Sequence, residues 1–417
     1  MNFVYVDITQ KSNFYGQTNP IALIAKYGSP LYVYNETILR QRCREMKNLI
    51  TYPQFQVNYS MKANGNLTLL KIAREEGLRV DTMSPGEIYV ALHAGFKPEQ
   101  ILYIGNNVSA EEMQYATERK ILVSVDSLAQ LELYGKLNPG GVVLVRFNPG
   151  IGAGHHEKVI TGGKKSKFGV EQKYIPEVKA LLEQYRLRLV GVNQHIGSLF
   201  LEGVPYIEAA KSLLQIASNF ENLELIDFGG GFGIPYHKQE GQKRLDLAEL
   251  GRLLDETIRA WVKAYGKEVT FLIEPGRYIP AECSVLLGSV YAVKINYDLQ
   301  YIGTDLGFNV LVRPVMYNSH HDIEIYRKDG QSSSKQEEVT IVGNICETGD
   351  IIAKNRRLPE IFEGDVLGVL DAGAYGFSMS SNYNNRLRPA EVLIKENGED
   401  VLIRQRDSLE DLVRNFV

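Results

Sequence analysis

Cysteine is scarce in this sequence: among 417 residues only Cys43, Cys283 and Cys346 carry a thiol. An odd, dispersed set without a C-x-x-C pair argues against both a disulfide framework and a zinc ribbon, and it fits a reducing compartment. Long apolar runs are missing too. No stretch reaches the roughly 18 uninterrupted apolar residues that a membrane helix needs, so a soluble chain with no membrane partner is expected. Positive charge is not in excess: 46 Lys and Arg stand against 50 Asp and Glu, for a net charge of -4. No global field then draws nucleic acid or an anionic membrane, and small molecules are the expected partners. The opening MNFVYVDITQKSNFYG has no basic segment followed by an apolar core, so the expected location is cytoplasmic.

What is present is ordinary globular composition, 44% apolar and 23% charged, over a length that suggests two or three domains or one large barrel with an appendage. Short apolar runs recur at Phe55 to Met61, Leu78 to Met83, Ile101 to Ile104, Ile121 to Val125, Val142 to Phe147, Leu187 to Val192, Leu223 to Phe228 and Thr270 to Ile273. They read as buried strands. Between them Ser84, Ser109 and Ser127 each precede an acidic or amide residue by three positions, which is the chemistry of a helix start. Helical stretches are expected at Ile175 to Gln184, Val204 to Ser218 and Leu247 to Tyr265. An earlier one, Glu36 to Ile50, aligns Leu39, Cys43, Met46 and Ile50 on one apolar face, which makes Cys43 a core residue.

Eight strand-then-helix units over about 230 residues match a parallel (β/α)8 barrel, with a doubly wound open sheet as the rival. The barrel is favoured by where polar residues fall. Lys62, Asp81, Asn106, Asp126, Asn148, His195, Gly229 to Gly231 and Glu274 all sit at or just beyond C-terminal strand ends, which converge in a barrel. After Arg277 the pattern changes to strands without helices, at Cys283 to Ile295, Val339 to Val342, Val366 to Leu370 and Ala390 to Lys395, and predicts a separate β domain. The polar stretch Arg327 to Glu338 reads as a solvated hairpin loop, and Gly150 to Lys167 as a long mobile loop suited to closing over a ligand.

Lys62 directly follows an apolar strand, where partial desolvation makes its amine a better nucleophile. Gly229-Gly230-Gly231-Phe232-Gly233 can aim several N–H groups at a phosphate, although its spacing is not that of a dinucleotide fold. Glu274-Pro275-Gly276-Arg277 puts a carboxylate and a guanidinium at one strand end. With His195 over an aromatic ring, these parts describe a pyridoxal phosphate site. The pairs His155-His156 and His320-His321 do not suggest metal, because adjacent side chains diverge in extended chain and no carboxylate cluster accompanies them; no metal is expected.

YSMKAN at Lys62, HIGS at His195 to Ser198, GGGFGI at Gly229 to Ile234 and EPGR at Glu274 to Arg277 resemble the fold-type III, alanine-racemase-like pyridoxal phosphate decarboxylases. VRPVMY at Val312 to Tyr317, CETGD at Cys346 to Asp350 and AGAYGFSMSSNYNNRLRPAEVLI at Ala372 to Ile394 are similar to the diaminopimelate-specific branch, in the same order over nearly the whole chain. The resemblance implies a TIM-type barrel over 31–277, a C-terminal β-sandwich-like or barrel-like domain over 278–417, and residues 1–30 completing that domain. It implies decarboxylation of meso-2,6-diaminopimelate to L-lysine, the last step of lysine biosynthesis, with pyridoxal 5'-phosphate as cofactor. Lys62 would carry the cofactor covalently, His195 would stack on its ring, and Ser198 with Gly229 to Gly231 would cradle its phosphate. Glu274, with Pro275 and Gly276 beside it, would hold the ring nitrogen. Arg277, which would also touch the cofactor, Arg313 and Tyr317 would bind the distal head of the substrate, Tyr375 would touch cofactor and substrate, and Glu347 would meet the distal ammonium. Cys346, the implied proton donor, and Glu347 would come from a second subunit, hence a homodimer with shared sites. Thr348 stands where the family usually has Ser, and Leu199 where it usually has Gln. A relative acting on ornithine, arginine, lysine or a D-amino acid, or a non-catalytic homologue, are the alternatives.

Overall fold

Each Ser cap forms as its local sequence requires. In a computed structural model, which describes residues 7–150, 163, 166–330, 333 and 335–417, Ser84 Oγ accepts the Glu87 amide and Ser127 Oγ that of Gln130. Ser109 and Glu112 close a reciprocal capping box. These caps start the helices Pro85–His93, Ala110–Glu118 and Leu128–Leu137, which alternate with buried strands. The strands are β1 (Phe55–Ser60), β2 (Arg79–Thr82), β3 (Ile101–Tyr103), β4 (Leu122–Val125), β5 (Val142–Asn148), β6 (Arg188–Asn193), β7 (Leu225–Asp227) and β8 (Thr270–Ile273). All neighbours pair in parallel, from β1–β2 around to β8–β1, so the sheet closes into an eight-stranded barrel. The open-sheet rival is thereby excluded.

Seven crossover helices join these strands, the others being Leu67–Glu75, Ile175–Gln184, Val204–Ala217 and Leu247–Tyr265. The eighth helix, Glu36–Lys47, precedes β1 rather than following β8, so the repeat runs helix then strand. That helix stops three residues before the expected Ile50. Its Cys43 is fully buried, as the apolar face predicts, and burial pushes the thiol up to about 12.

The second unit comprises residues 1–39, 235–243 and 280–417, around a nine-stranded mixed sheet. Leu31–Asn35 lies within this sheet, parallel to Ala390–Ile394 and antiparallel to the start of Ser284–Asn296. The expected barrel start at residue 31 therefore moves, because this all-buried LYVYN strand satisfies its backbone in the β unit. Phe14, Tyr15 and Leu23 pack with Leu31, Val33, Val285, Leu287, Val392 and Ile394 in one core, so the N-terminal segment does complete this unit. The stretch Arg327 to Glu338 is not a hairpin. The strands flanking it, Ile323–Tyr326 and Gln336–Val342, pair with different partners, Val366–Leu370 for the first and Leu299–Thr304 with Ile351–Pro359 for the second. The expected mobile loop lies almost entirely outside the described residues. Among the described residues no helix is long and apolar enough to cross a membrane.

Candidate active site

The C-terminal rim of the barrel gathers the expected groups. Lys62 sits in the turn Met61–Ala63 directly after β1, half-buried. Beside it Ser60 Oγ donates to Asp81 Oδ2 at the end of β2 (2.9 Å), and the Ser60 amide donates to the Pro275 carbonyl beyond β8 (3.2 Å). EPGR is thus stitched to the strand that presents the lysine.

The glycine run is fixed from both sides. The Gly229 amide donates to Asp227 Oδ1 (2.8 Å) and the Gly230 amide to His195 Nδ1 (3.1 Å). A Cβ on Gly230 would strike the Glu274 carbonyl oxygen, and one on Gly229, at φ +71°, the Gln194 carbonyl oxygen, so no larger residue fits at either position. Phe200, Tyr206 and Phe232 support the run, their rings 5.1 to 5.3 Å apart. Two of the three expected cradle amides are therefore engaged within the chain. Gly231 stands at φ +113°, and its carbonyl oxygen accepts the Phe200 amide (3.1 Å). Arg277 lies with Ser198 rather than apart from it, donating through Nε (3.3 Å) and Nη2 (2.9 Å) to Ser198 Oγ.

Because His195 Nδ1 accepts the Gly230 N–H, its proton belongs on Nε2. Burial first, then the charges of Lys62 and Arg146, hold its pKa well below the usual histidine value, so the ring is neutral at working pH. The carboxyl groups shift oppositely. Burial and the neighbouring Asp227 raise Glu274 well above the carboxylate range, against the pull of Lys62 and Arg146. Asp81 is raised by burial and by Glu274. Among the described residues no N–H reaches Glu274 Oε1, which is buried and whose hydrogen-bonding neighbour is the acid Asp227, an arrangement that an arriving N–H would relieve. The protonated nitrogen of a pyridine ring is such a donor, so the residues present fit pyridoxal phosphate.

Asp227, pushed up to about 6 mainly by burial, yields a pH prediction for the cofactor-free protein. A folded pKa above the unfolded value of about 4 means stability that is full below pH 4 and lost as pH rises through 6. Asp227→Asn keeps the acceptor for Gly229 but cannot ionise. Its melting temperature relative to the parent should therefore rise between pH 4 and pH 7, measured on cofactor-free chains. A difference independent of pH would show that Asp227 does not titrate in the fold.

In the β unit, Arg313 opens the short helix Arg313–Tyr317 and is buried, whereas Tyr317 and Tyr375 are half-buried. Cys346, Glu347 and Thr348 are exposed. Asn384 brackets the thiol, accepting the Cys346 amide (3.0 Å) and donating to Sγ (3.2 Å), while Tyr383 donates to Glu347 (2.7 Å). Asp350 is the clamp of this loop: its two oxygens accept the amides of Phe308 (2.7 Å) and Ile345 (2.8 Å). Leu199 in the barrel adopts φ +68°, a conformation that costs a non-glycine residue roughly 1 kcal/mol or more.

His320 joins not its neighbour but His237 and Glu240, whose ligand-type atoms lie within 4.8 Å of one another. The HxxE spacing of His237 and Glu240 was the signal for this cluster. The two rings stack face to face, 3.7 Å between centroids, so their in-plane lone pairs run side by side instead of converging. Both His320 nitrogens are also engaged, Nε2 with Asp322 (3.0 Å) and Nδ1 with Arg356 (3.3 Å). His155 and His156 lie outside the described residues.

Residues 36–281 match the model of the pyridoxal-dependent decarboxylases, pyridoxal binding domain. The diaminopimelate decarboxylase of Methanothermobacter thermautotrophicus is 42% identical over 99% of this chain and 97% of its own length. A crystal structure of a diaminopimelate decarboxylase superposes with a TM-score of 0.88 at 34% identity, covering 94% of this chain and 95% of that one. The Helicobacter pylori diaminopimelate decarboxylase complexed with L-lysine gives 0.87 at 31% identity, covering 95% and 98%. Likeness of this extent means that the chain belongs to the pyridoxal-dependent decarboxylases.

Proposed function

We propose that the chain converts meso-2,6-diaminopimelate to L-lysine and carbon dioxide, in the cytoplasm, as a homodimer with shared sites. The observation that carries this reading is the buried Glu274, whose Oε1 meets no N–H among the described residues, on the same barrel rim as Lys62. Lys62 Nζ would hold the cofactor covalently. Pyridoxal phosphate, when bound, supplies the electron sink that takes the pair left by the departing carboxylate. Glu274 keeps the ring nitrogen protonated. His195, whose imidazole is neutral, would stack on the ring and would add no competing charge. Gly231, Ser198 and Arg277 hold the phosphate, with the backbone of Pro275 and Gly276 shaping that end of the site.

Arg313 and Tyr317 take the distal carboxylate of the substrate, since a planar guanidinium fork and a phenol suit that group. Glu347 meets the distal ammonium, and Tyr375 touches cofactor and substrate. Cys346 Sγ delivers the proton that replaces the lost carboxylate, a positioned thiol being able to act as the acid of such a step. Cys346 and Glu347 act in the site of the second subunit, a reading supported by their exposure in the single chain. The three free cysteines fit a reducing compartment.

Substrate choice tests this reading. The cofactor-loaded enzyme should release carbon dioxide from meso-diaminopimelate with a kcat/KM at least about 100-fold above that for ornithine, arginine or D-lysine, because each lacks a group that the site is built to bind. Release from ornithine or arginine but not from diaminopimelate would overturn it.

A further inference from the structure

We infer that His321 is a positioning residue that aims the Arg313 guanidinium, and so sets the preference for a substrate bearing a distal carboxylate. This rests on the role just proposed for Arg313 and deepens it. The two residues stand eight apart, brought together by the helix Arg313–Tyr317 and the turn after it, where Asn318 takes φ +52°. Arg313 Nη1 lies 2.7 Å from His321 Nε2, and both side chains are buried. An arginine can only donate, so Nε2 is the acceptor and the ring proton sits on Nδ1. That proton has its own partner, the Leu370 carbonyl oxygen at 2.7 Å. The tautomer is therefore set from both sides.

Around this pair the chain has built a rigid seat. The Arg313 guanidinium lies 4.6 Å from the centroid of the Tyr236 ring, which also meets His321 edge to face at 5.2 Å. Arg313 Nη2 donates to Ser319 Oγ (3.3 Å). The backbone of His321 is held as well, its carbonyl oxygen accepting from Arg356 Nη1 (2.9 Å). Leu370 ends the strand Val366–Leu370, two residues before the AGAY segment that closes on Tyr375. A long, rotatable arginine gains selectivity for a carboxylate only when its planar fork is fixed, because both N–H groups must meet both oxygens together. The imidazole supplies that fixation at one Nη and leaves the fork's orientation no freedom about its last torsion.

Two substitutions separate the acceptor from the rest of the ring. His321→Asn can still donate to the Leu370 oxygen but puts no acceptor where Nε2 was. His321→Gln restores an acceptor at that depth. The ligands are L-lysine, which retains the distal carboxylate, and cadaverine, the same carbon chain without it. Their dissociation constants from the holoenzyme are measured by calorimetry, with KM and kcat for meso-diaminopimelate alongside. We expect His321→Asn to weaken L-lysine about tenfold, as loss of one hydrogen bond to a charged group does, with cadaverine within about twofold. KM should rise by a similar factor while kcat changes less, and His321→Gln should recover most of the lysine affinity. Arg313→Ala should weaken lysine at least as much as His321→Asn.

If His321→Asn shifts lysine and cadaverine equally, or neither, His321 merely packs and the inference is overturned. The same holds if His321→Gln is no better than His321→Asn. If Arg313→Ala leaves lysine affinity at the parent value, the role proposed for Arg313 is what fails. An intact Arg313 effect beside a silent His321 removes only the present inference.

Discussion

Replacing Lys62 with alanine is expected to lower decarboxylation by at least about 1,000-fold, the scale of loss when a covalent catalytic group is removed. The argument is positional. Lys62 follows β1 on the barrel rim, and its charge is felt by Asp81, Glu274 and His195, all of them groups that close on the same spot. No strand end other than that of β1 presents a lysine there among the described residues. Borohydride reduction of the parent holoenzyme should leave the pyridoxyl group on the peptide containing Lys62. The Lys62→Ala chain should retain none, even where it still binds cofactor through Arg277, Ser198 and Glu274. A reduced parent labelled on any other lysine would contradict the barrel site.

Cys346→Ala carries the second large effect, and it also tests how sites are shared. Alone, each of Lys62→Ala and Cys346→Ala is expected to be nearly inactive. Mixed in equal amounts under conditions that exchange subunits, half of the dimers become heterodimers. On the proposed shared-site dimer, each heterodimer would have one site joining an intact Lys62 to an intact Cys346, and one site carrying both defects. Activity should recover to about one quarter of the parent if the sites are independent. No recovery after proven exchange would place Cys346 in the site of its own chain.

Much of the barrel is legible from residue patterns because its information is local. Apolar runs of strand length, Ser caps with a partner three residues on, and polar residues at strand ends are all set by neighbours in sequence, and the strands, helices and rim follow them closely. The β unit is harder to read for a physical reason. A buried strand such as Leu31–Asn35 has no marker of which sheet will satisfy its backbone, and its partners lie 250 or more residues away. The same limit produced the mistaken hairpin at Arg327 to Glu338, since a polar stretch between two strands does not say whether those strands pair with each other.

In the site, the residues with distinctive chemistry were legible, while their supporting partners were not. Asp227 holds the Gly229 amide and with Arg146 sets the field around Glu274, and His321 meets Arg313. Buried acids at strand ends are a usable signal, and Asp81 and Asp227 both sit at one. Neither the contact between Arg313 and His321 nor the bracket of Asn384 on Cys346 has a spacing that announces it, because each depends on a turn whose geometry appears only in the folded chain. The glycine run illustrates the middle case: its need for bare backbone was plain, yet two of its amides turned out to serve Asp227 and His195.

The most direct measurement counts both products at once. Purified chain loaded with pyridoxal phosphate is given meso-diaminopimelate, and carbon dioxide and L-lysine are quantified over the same time course. The account predicts that they appear in a one-to-one ratio, at a rate that collapses in the Lys62→Ala chain. Holoenzyme that consumes no diaminopimelate, or that releases carbon dioxide without forming lysine, would contradict it.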